Sequence, residues 1–212
     1  MNYTQFKNHF QSSPLILSKE VIRFQSDKQN IRNQLNRWLQ KGLIHKLKKG
    51  AYLFNENDRK INPDHSFIAN QLYAPSYVSL EYALYIYGLI PEKVTAITSI
   101  TTKKTVRFSN VSGEYIYQHV KPTAFGGFRR VKDSNGYFIF IAEPEKAVVD
   151  FLYLNFPKVE NIHKDIFEKS YRFQNAENLR PKEIMKAAKL FNNRALLRKA
   201  RAFCEFLSEV KS

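Results

Sequence analysis

Residues 26–54 constrain the fold of this chain most tightly. Ser26-Asp27-Lys28-Gln29 puts Ser at an N-cap and Gln three residues later, a capping box that satisfies two orphan backbone donors at a helix start. Ile31, Leu35, Trp38 and Leu39 then follow at spacings of four, three and one, so they share one helical face, and Gly42 supplies a left-handed stop. The spacing predicts a helix over residues 26–41. Directly after it, Ile44-His45-Lys46-Leu47-Lys48-Lys49-Gly50-Ala51-Tyr52-Leu53-Phe54 reads as two short strands joined around Lys48-Lys49-Gly50. A shorter helix is expected over residues 18–24, with Val21, Ile22 and Phe24 available for packing. The order is helix, turn, helix, then a hairpin tipped with lysine, which is the order of a winged helix-turn-helix.

The face opposite the apolar stripe carries Gln29, Asn30, Asn33, Arg37 and Gln40, with Arg32 and Asn36 on its flanks. Amides and guanidinium groups of this kind make bidentate contacts to adenine and guanine edges in a major groove. Gln29, Arg32, Asn33, Asn36 and Arg37 are therefore the candidates for base contacts in double-stranded DNA. Lys28, Lys46, Lys48 and Lys49 are the candidates for phosphate contacts, which position a protein without reading sequence. Charge supports this assignment. The formal net charge is +15, and it divides into +8 over residues 1–55, +1 over 56–160 and +6 over 161–212. We expect a basic head, a nearly neutral α+β body and a basic helical tail, with the polar run 55–62 (NENDRKIN) as the linker between the first two.

Several classes are disfavoured. One cysteine, Cys204, cannot form an intramolecular disulfide, and no Cys/His cluster has metal-ligand spacing, so neither a metal nor another cofactor is expected. The first residues, MNYTQFKNHF, lack the apolar core of a signal peptide, and no apolar run reaches the roughly 18 residues of a membrane span, which points to a cytoplasmic protein without membrane contact.

In the body, Asn62-Pro63 is expected to open a helix with Phe67, Ile68, Gln71 and Leu72 inward. Ser79 is expected to cap a second helix whose Leu80, Ala83, Leu84 and Tyr87 face the core before Gly88 and Pro91 end it. Alternation predicts strands at 94–101, 105–108, 115–120, 129–132 and 137–142, the last two joined by an Asn135-Gly136 turn in an antiparallel or mixed sheet. Glu143-Pro144-Glu145-Lys146 opens a further helix with Ala147, Val148, Phe151, Leu152 and Asn155 at helical spacing.

Three of these segments carry a family resemblance. Val78-Ser79-Leu80-Glu81-Tyr82-Ala83-Leu84 with Tyr87-Gly88-Leu89-Ile90-Pro91-Glu92, the stretch 98–102, and Ala142-Glu143-Pro144-Glu145-Lys146-Ala147-Val148-Val149-Asp150 resemble the signatures of AbiEi-type antitoxins. Lys49-Gly50-Ala51-Tyr52 is similar to the end of that family's wing, and the resemblance runs from about residue 10 to about residue 155. It implies a bacterial transcriptional regulator with an amino-terminal winged helix, usually encoded beside a nucleotidyltransferase-like toxin. Such a regulator represses its own operon, counteracts the toxin without necessarily forming a stable complex with it, and serves antiviral defence by abortive infection.

Catalysis is not expected. Glu81, His119, Glu143, Glu145 and Asp150 are the available acid–base groups, but no phosphate loop, nucleophile elbow or paired-ligand spacing accompanies them. In the tail, Lys182, Lys186 and Lys189, and then Arg194, Arg198 and Arg201, repeat at helical spacing on two helices divided at Asn192-Asn193. They form either a second phosphate-contacting surface or a solvated face, with Ile184, Ala188, Phe191, Phe203 and Leu207 packing on the body. Cys204 reads as core filler. The alternative to a DNA-reading repressor is a non-catalytic interaction protein that holds RNA or an acidic protein partner on these basic surfaces.

Overall fold

The computed structural model describes residues 1–24, 28–156 and 166–210. The capping box expected at Ser26 and the side chains of Phe24 and Lys28 lie outside what is described. The head consists of α1 (Tyr3–Phe10), β1 (Ile16–Leu17), α2 (Ser18–Phe24), α3 (Lys28–Gln40), β2 (Ile44–Lys48) and β3 (Ala51–Phe54). Its three strands pair antiparallel in the order β1-β3-β2.

Helix α3 ends at Gly42, whose φ of 65° lies in the left-handed region that glycine occupies without a Cβ penalty. Its stripe, Ile31, Leu35 and Trp38, is buried against Phe6 and Phe10 of α1 together with Ile16, Ile44 and Phe54. The sequence reading had not included α1. Asn2 and Gln5 cap it reciprocally, at 2.9 and 3.0 Å, and Phe6 lies with its ring centroid 4.4 Å from that of Trp38.

Strand β3 is buried on both faces. Successive side chains of a strand point to opposite sides, and here Tyr52 and Phe54 join the helices of the head, whereas Ala51 and Leu53 join the core of the body alongside Leu15 and Leu47. The hairpin is thus a partition between two cores.

The body and tail comprise α4 (His65–Leu72), β4 (Ser76–Val78), α5 (Leu80–Ile86), β5 (Ile97–Thr101), β6 (Val106–Asn110), β7 (Gly113–His119), β8 (Phe128–Lys132), β9 (Phe138–Ala142), α6 (Pro144–Asn155), α7 (Pro181–Lys189) and α8 (Arg194–Val210). The strands form one sheet in the order β6-β7-β5-β4-β9-β8, in which β5–β7 and β4–β9 are parallel and the other neighbours antiparallel. The chain is α+β with a mixed sheet. The tail's apolar stripe, Ile184, Ala188, Phe191, Phe203 and Leu207, is fully buried in the core of the body.

Two caps differ from the sequence reading. Asp64, not Asn62, caps α4, its Oδ1 accepting the Ser66 amide at 2.7 Å. Gln71 faces solvent and Asn70 takes the inner position, receiving the Phe140 amide at 2.6 Å and donating to the Phe140 carbonyl at 3.3 Å. Those bonds satisfy the part of β9 that the three-residue β4 leaves unpaired. At α5 the hydroxyl of Ser79 is engaged elsewhere, and Thr98 performs the capping: its Oγ1 accepts the Tyr82 amide at 3.1 Å and donates to the Ser79 carbonyl at 2.7 Å. This bridge holds Leu80 at a φ of 59°, a conformation that costs a non-glycine residue on the order of 1 kcal/mol or more.

Candidate nucleic-acid interface

The outer face of α3 is polar, exposed and free of acidic residues. Gln29, Asn30, Arg32, Asn33, Asn36, Arg37 and Gln40 all face solvent, while Ile31, Leu35 and Trp38 anchor the opposite side at 2, 2 and 7% exposure. Gln29 Nε2 donates to Asn33 Oδ1 at 3.3 Å, which links two of the base-contact candidates along one helical row. A rigid, acid-free helix surface of amides and guanidinium groups is chemically suited to base edges. Lys28 begins this helix, and its side chain is outside the described part.

The hairpin lysines divide into two sets. Lys46 and Lys49 are exposed. Lys48 is turned inward: its Nζ donates to the Leu72 carbonyl and stands 6.0 Å from the Phe108 ring centre. Burial pushes its amine below the ordinary lysine value, and the charge of Lys103 adds to that effect. Lys48 is thus half-buried and engaged within the chain, unlike the other two expected phosphate contacts of the hairpin. Alternation already sends Leu47 into the body core, and the register irregularity between Lys46 and Lys48 pairs Lys48 with Ala51, on that same side. Asn110 Nδ2 closes the same contact on the Leu47 carbonyl at 3.2 Å.

On the tail, Lys182, Lys186, Lys189, Arg194, Arg198 and Arg201 are all exposed. Only four of them meet in one place. Lys182, Lys186, Lys189 and Arg201 border a groove of about 740 Å³ between α7 and α8, over Met185 and Cys204, whereas Arg194 and Arg198 lie outside it. Cys204 is half-buried, packed against the core of the body on one side and bordering this groove on the other. Burial pushes its thiol up, as does the Glu205 charge, so thiolate character is suppressed.

The acid–base candidates are held by separate partners. Glu81 accepts from Asn155 at 2.8 Å, the ring of His119 lies 3.0 Å from the Lys103 carbonyl, Glu143 is 3.8 Å from Arg129, and Glu145 receives Arg180 at 2.8 Å. Asp150 belongs to a network the sequence reading missed. Its Oδ2 accepts from Ser79 at 2.8 Å and Tyr77 at 3.1 Å, its Oδ1 accepts from Lys146, and Lys146 also reaches the Tyr77 hydroxyl at 2.8 Å. Lys146 and Asp150 are 1% and 0% exposed. Burial pushes the Asp150 carboxyl up and the Lys146 amine down, and each charge opposes the shift of the other. Ser79, Thr98, Lys146 and Asp150 all come from the segments that carry the family resemblance. They are internal fastenings of the sheet, α5 and α6.

Among the described residues, no group of three or more His, Cys, Asp or Glu side chains could hold a metal ion, and no helix is long and apolar enough to cross a membrane. Comparison with protein-family models and with curated proteins finds no match for the chain.

Proposed function

We propose that this chain is a sequence-specific, double-stranded DNA-binding repressor whose head is a winged helix-turn-helix. The observation that carries this reading is the acid-free face of α3, which presents Gln29, Arg32, Asn33, Asn36 and Arg37 to solvent above a fully packed stripe. The order α1-β1-α2-α3-β2-β3, with β3 between β1 and β2, supports it. Helix α3 enters the major groove, its side chains address base edges, and Lys46 and Lys49 contact phosphate. Lys48 orients the hairpin from behind. Lys182, Lys186, Lys189 and Arg201, which meet at the groove between α7 and α8, form a second phosphate-contacting surface. The resemblance of residues 78–92, 98–102 and 142–150 supports an antitoxin of the AbiEi type, which silences its own operon and counteracts a nucleotidyltransferase-like toxin without requiring a stable complex.

A gel-shift titration with the chain's own upstream region, random duplex DNA of equal length and RNA tests this directly. Preference for the upstream duplex is expected, and Asn33→Ala or Arg37→Ala should each reduce that preference by about 1–3 kcal/mol, or roughly five- to 150-fold. Equal binding to all three probes would refute sequence reading by α3. A nucleotidyltransferase-like neighbouring gene whose toxicity the chain suppresses is the expected result for the antitoxin role.

A further inference from the structure

We propose that the solvent face of the β8–β9 hairpin is a stacking platform for single-stranded nucleic acid. This goes beyond duplex reading by α3 and does not depend on it.

The register pairs Phe128 with Ala142, Arg130 with Phe140 and Lys132 with Phe138. Strand alternation therefore gathers Phe128, Arg130, Lys132, Phe138 and Phe140 on one face, while Val131, Ile139 and Ile141 turn to the other. Phe138 and Phe140 are 45% and 38% exposed, and they alone among the described phenylalanines are exposed. Two adjacent exposed phenylalanine rings on one sheet face form an apolar patch of the kind that marks a binding surface. Cations specify its charge. The Arg130 guanidinium lies 4.0 Å from the Phe138 ring centre and Lys132 Nζ lies 5.6 Å from it. Among the described residues neither cation is paired with a carboxylate.

Charged residues on β8 also protect an outer strand from pairing with another chain, which accounts for the cations but not for the rings. Aromatic rings and guanidinium planes on a sheet face, with free positive charge beside them, fit unpaired bases joined by phosphates. A duplex hides its base faces in its own stack. Phe140 stands edge-on to its same-face neighbour Phe128, at 90° and 5.8 Å, so its orientation is supported from the side. The Arg130–Phe138 stack offers a second flat surface beside it.

The test uses the full chain and fluorescein-labelled strands of roughly twelve nucleotides and mixed sequence. Single-stranded RNA, single-stranded DNA and the matching duplex are titrated separately by anisotropy. Phe138→Ala and Phe140→Ala should each weaken single-strand binding by roughly tenfold while leaving duplex affinity unchanged. Arg130→Gln and Lys132→Gln should each lower the salt slope for single strands by about 0.7. Phe138→Trp provides an independent readout, since the chain's single tryptophan, Trp38, is buried: its new emission should be quenched by single strands and not by duplex. Asn33→Ala/Arg37→Ala should spare single-strand binding, which separates failure of the platform from failure of the α3 reading. Binding to either single strand that depends on the two rings supports the platform. Unchanged single-strand affinity in the alanine variants, or equal losses on single strand and duplex, overturns it. So does ring-dependent binding to phosphatidylserine vesicles without single-strand binding.

Discussion

Asp150→Ala should destabilise the protein by about 3–5 kcal/mol, the usual effect of leaving one member of a buried ion pair without its partner. The geometry supports the upper part of that range. The carboxylate accepts from three side chains, Lys146, Tyr77 and Ser79, and is 0% exposed. After its removal the Lys146 ammonium retains the Tyr77 hydroxyl at 2.8 Å and the faces of Tyr77 and Phe191 at 5.4 and 4.8 Å. Each face contributes about 0.5–2 kcal/mol, too little to replace the counter-charge. With about 2–4 °C of midpoint per kcal/mol in a chain of this size, the variant should melt roughly 6–20 °C lower. Its stability should also rise with pH. The Lys146 amine would lie further below its unfolded value, so the unfolded state binds more protons than the folded state between the two values. The deficit should therefore shrink as pH rises toward the unfolded lysine value of about 10.4. Urea unfolding followed by far-ultraviolet circular dichroism measures both effects, and Lys146→Met/Asp150→Leu should recover most of the loss. A deficit below about 1 kcal/mol, or one that widens as pH rises, would refute the account of a charged, solvent-excluded pair.

The hairpin offers a sharper contrast for DNA binding. Lys46→Ala/Lys49→Ala should weaken specific and random duplex alike and reduce the salt slope by about 0.9 per lysine, whereas Lys48→Ala should leave the slope intact. A fallen slope in the Lys48 variant would contradict its inward placement. Asp58 accepts from Lys7 and Tyr3, and these hydrogen bonds hold its carboxyl below the usual range. A depressed folded value stabilises above about pH 4 and is lost as pH falls through it. Asp58→Asn should thus flatten acid unfolding of the head as reported by Trp38, whose ring lies 5.5 Å from Tyr3, and an unaltered acid limb would count against the contact. A fragment of residues 1–55 should aggregate, because it exposes Leu15, Leu47, Ala51 and Leu53 at once; a monomeric fragment that melts cooperatively would show the head to be self-sufficient.

Helix α3 and the hairpin were legible because their signals are local: apolar residues one turn apart, a left-handed glycine, a lysine-glycine corner. Helix α1 had a comparable signal in Asn2/Gln5 and Phe6/Phe10, but its eight residues leave little periodicity to read. Strand β4 is three residues long and shows no alternation at all. The inward turn of Lys48 depends on Leu72 and Asn110, 24 and 63 residues away from the atoms they meet, and no local pattern encodes it. Likewise Lys146 and Asp150 are one helical turn apart in plain view. Their burial follows only once α6 is known to be covered on every side, although the surrounding Ala147, Val148, Val149, Phe151 and Leu152 were a usable hint.

The partition formed by β3 also determines what residues 55–62 can do. A flexible tether would let the head swivel, and its length would then set how far α3 could reach along a duplex. Here Asp58 is tied back to α1, the Lys60 amide donates to the Gln11 carbonyl at 3.3 Å, and the strand beside them is gripped by both cores. Extra residues in this segment would bulge outward, and even a doubled loop costs only about 0.6 kcal/mol in closure. The head behaves as a fixed bracket, so the bearing of α3 is independent of linker length, and any change in its angle must come from repacking Leu47, Ala51 and Leu53 against the body.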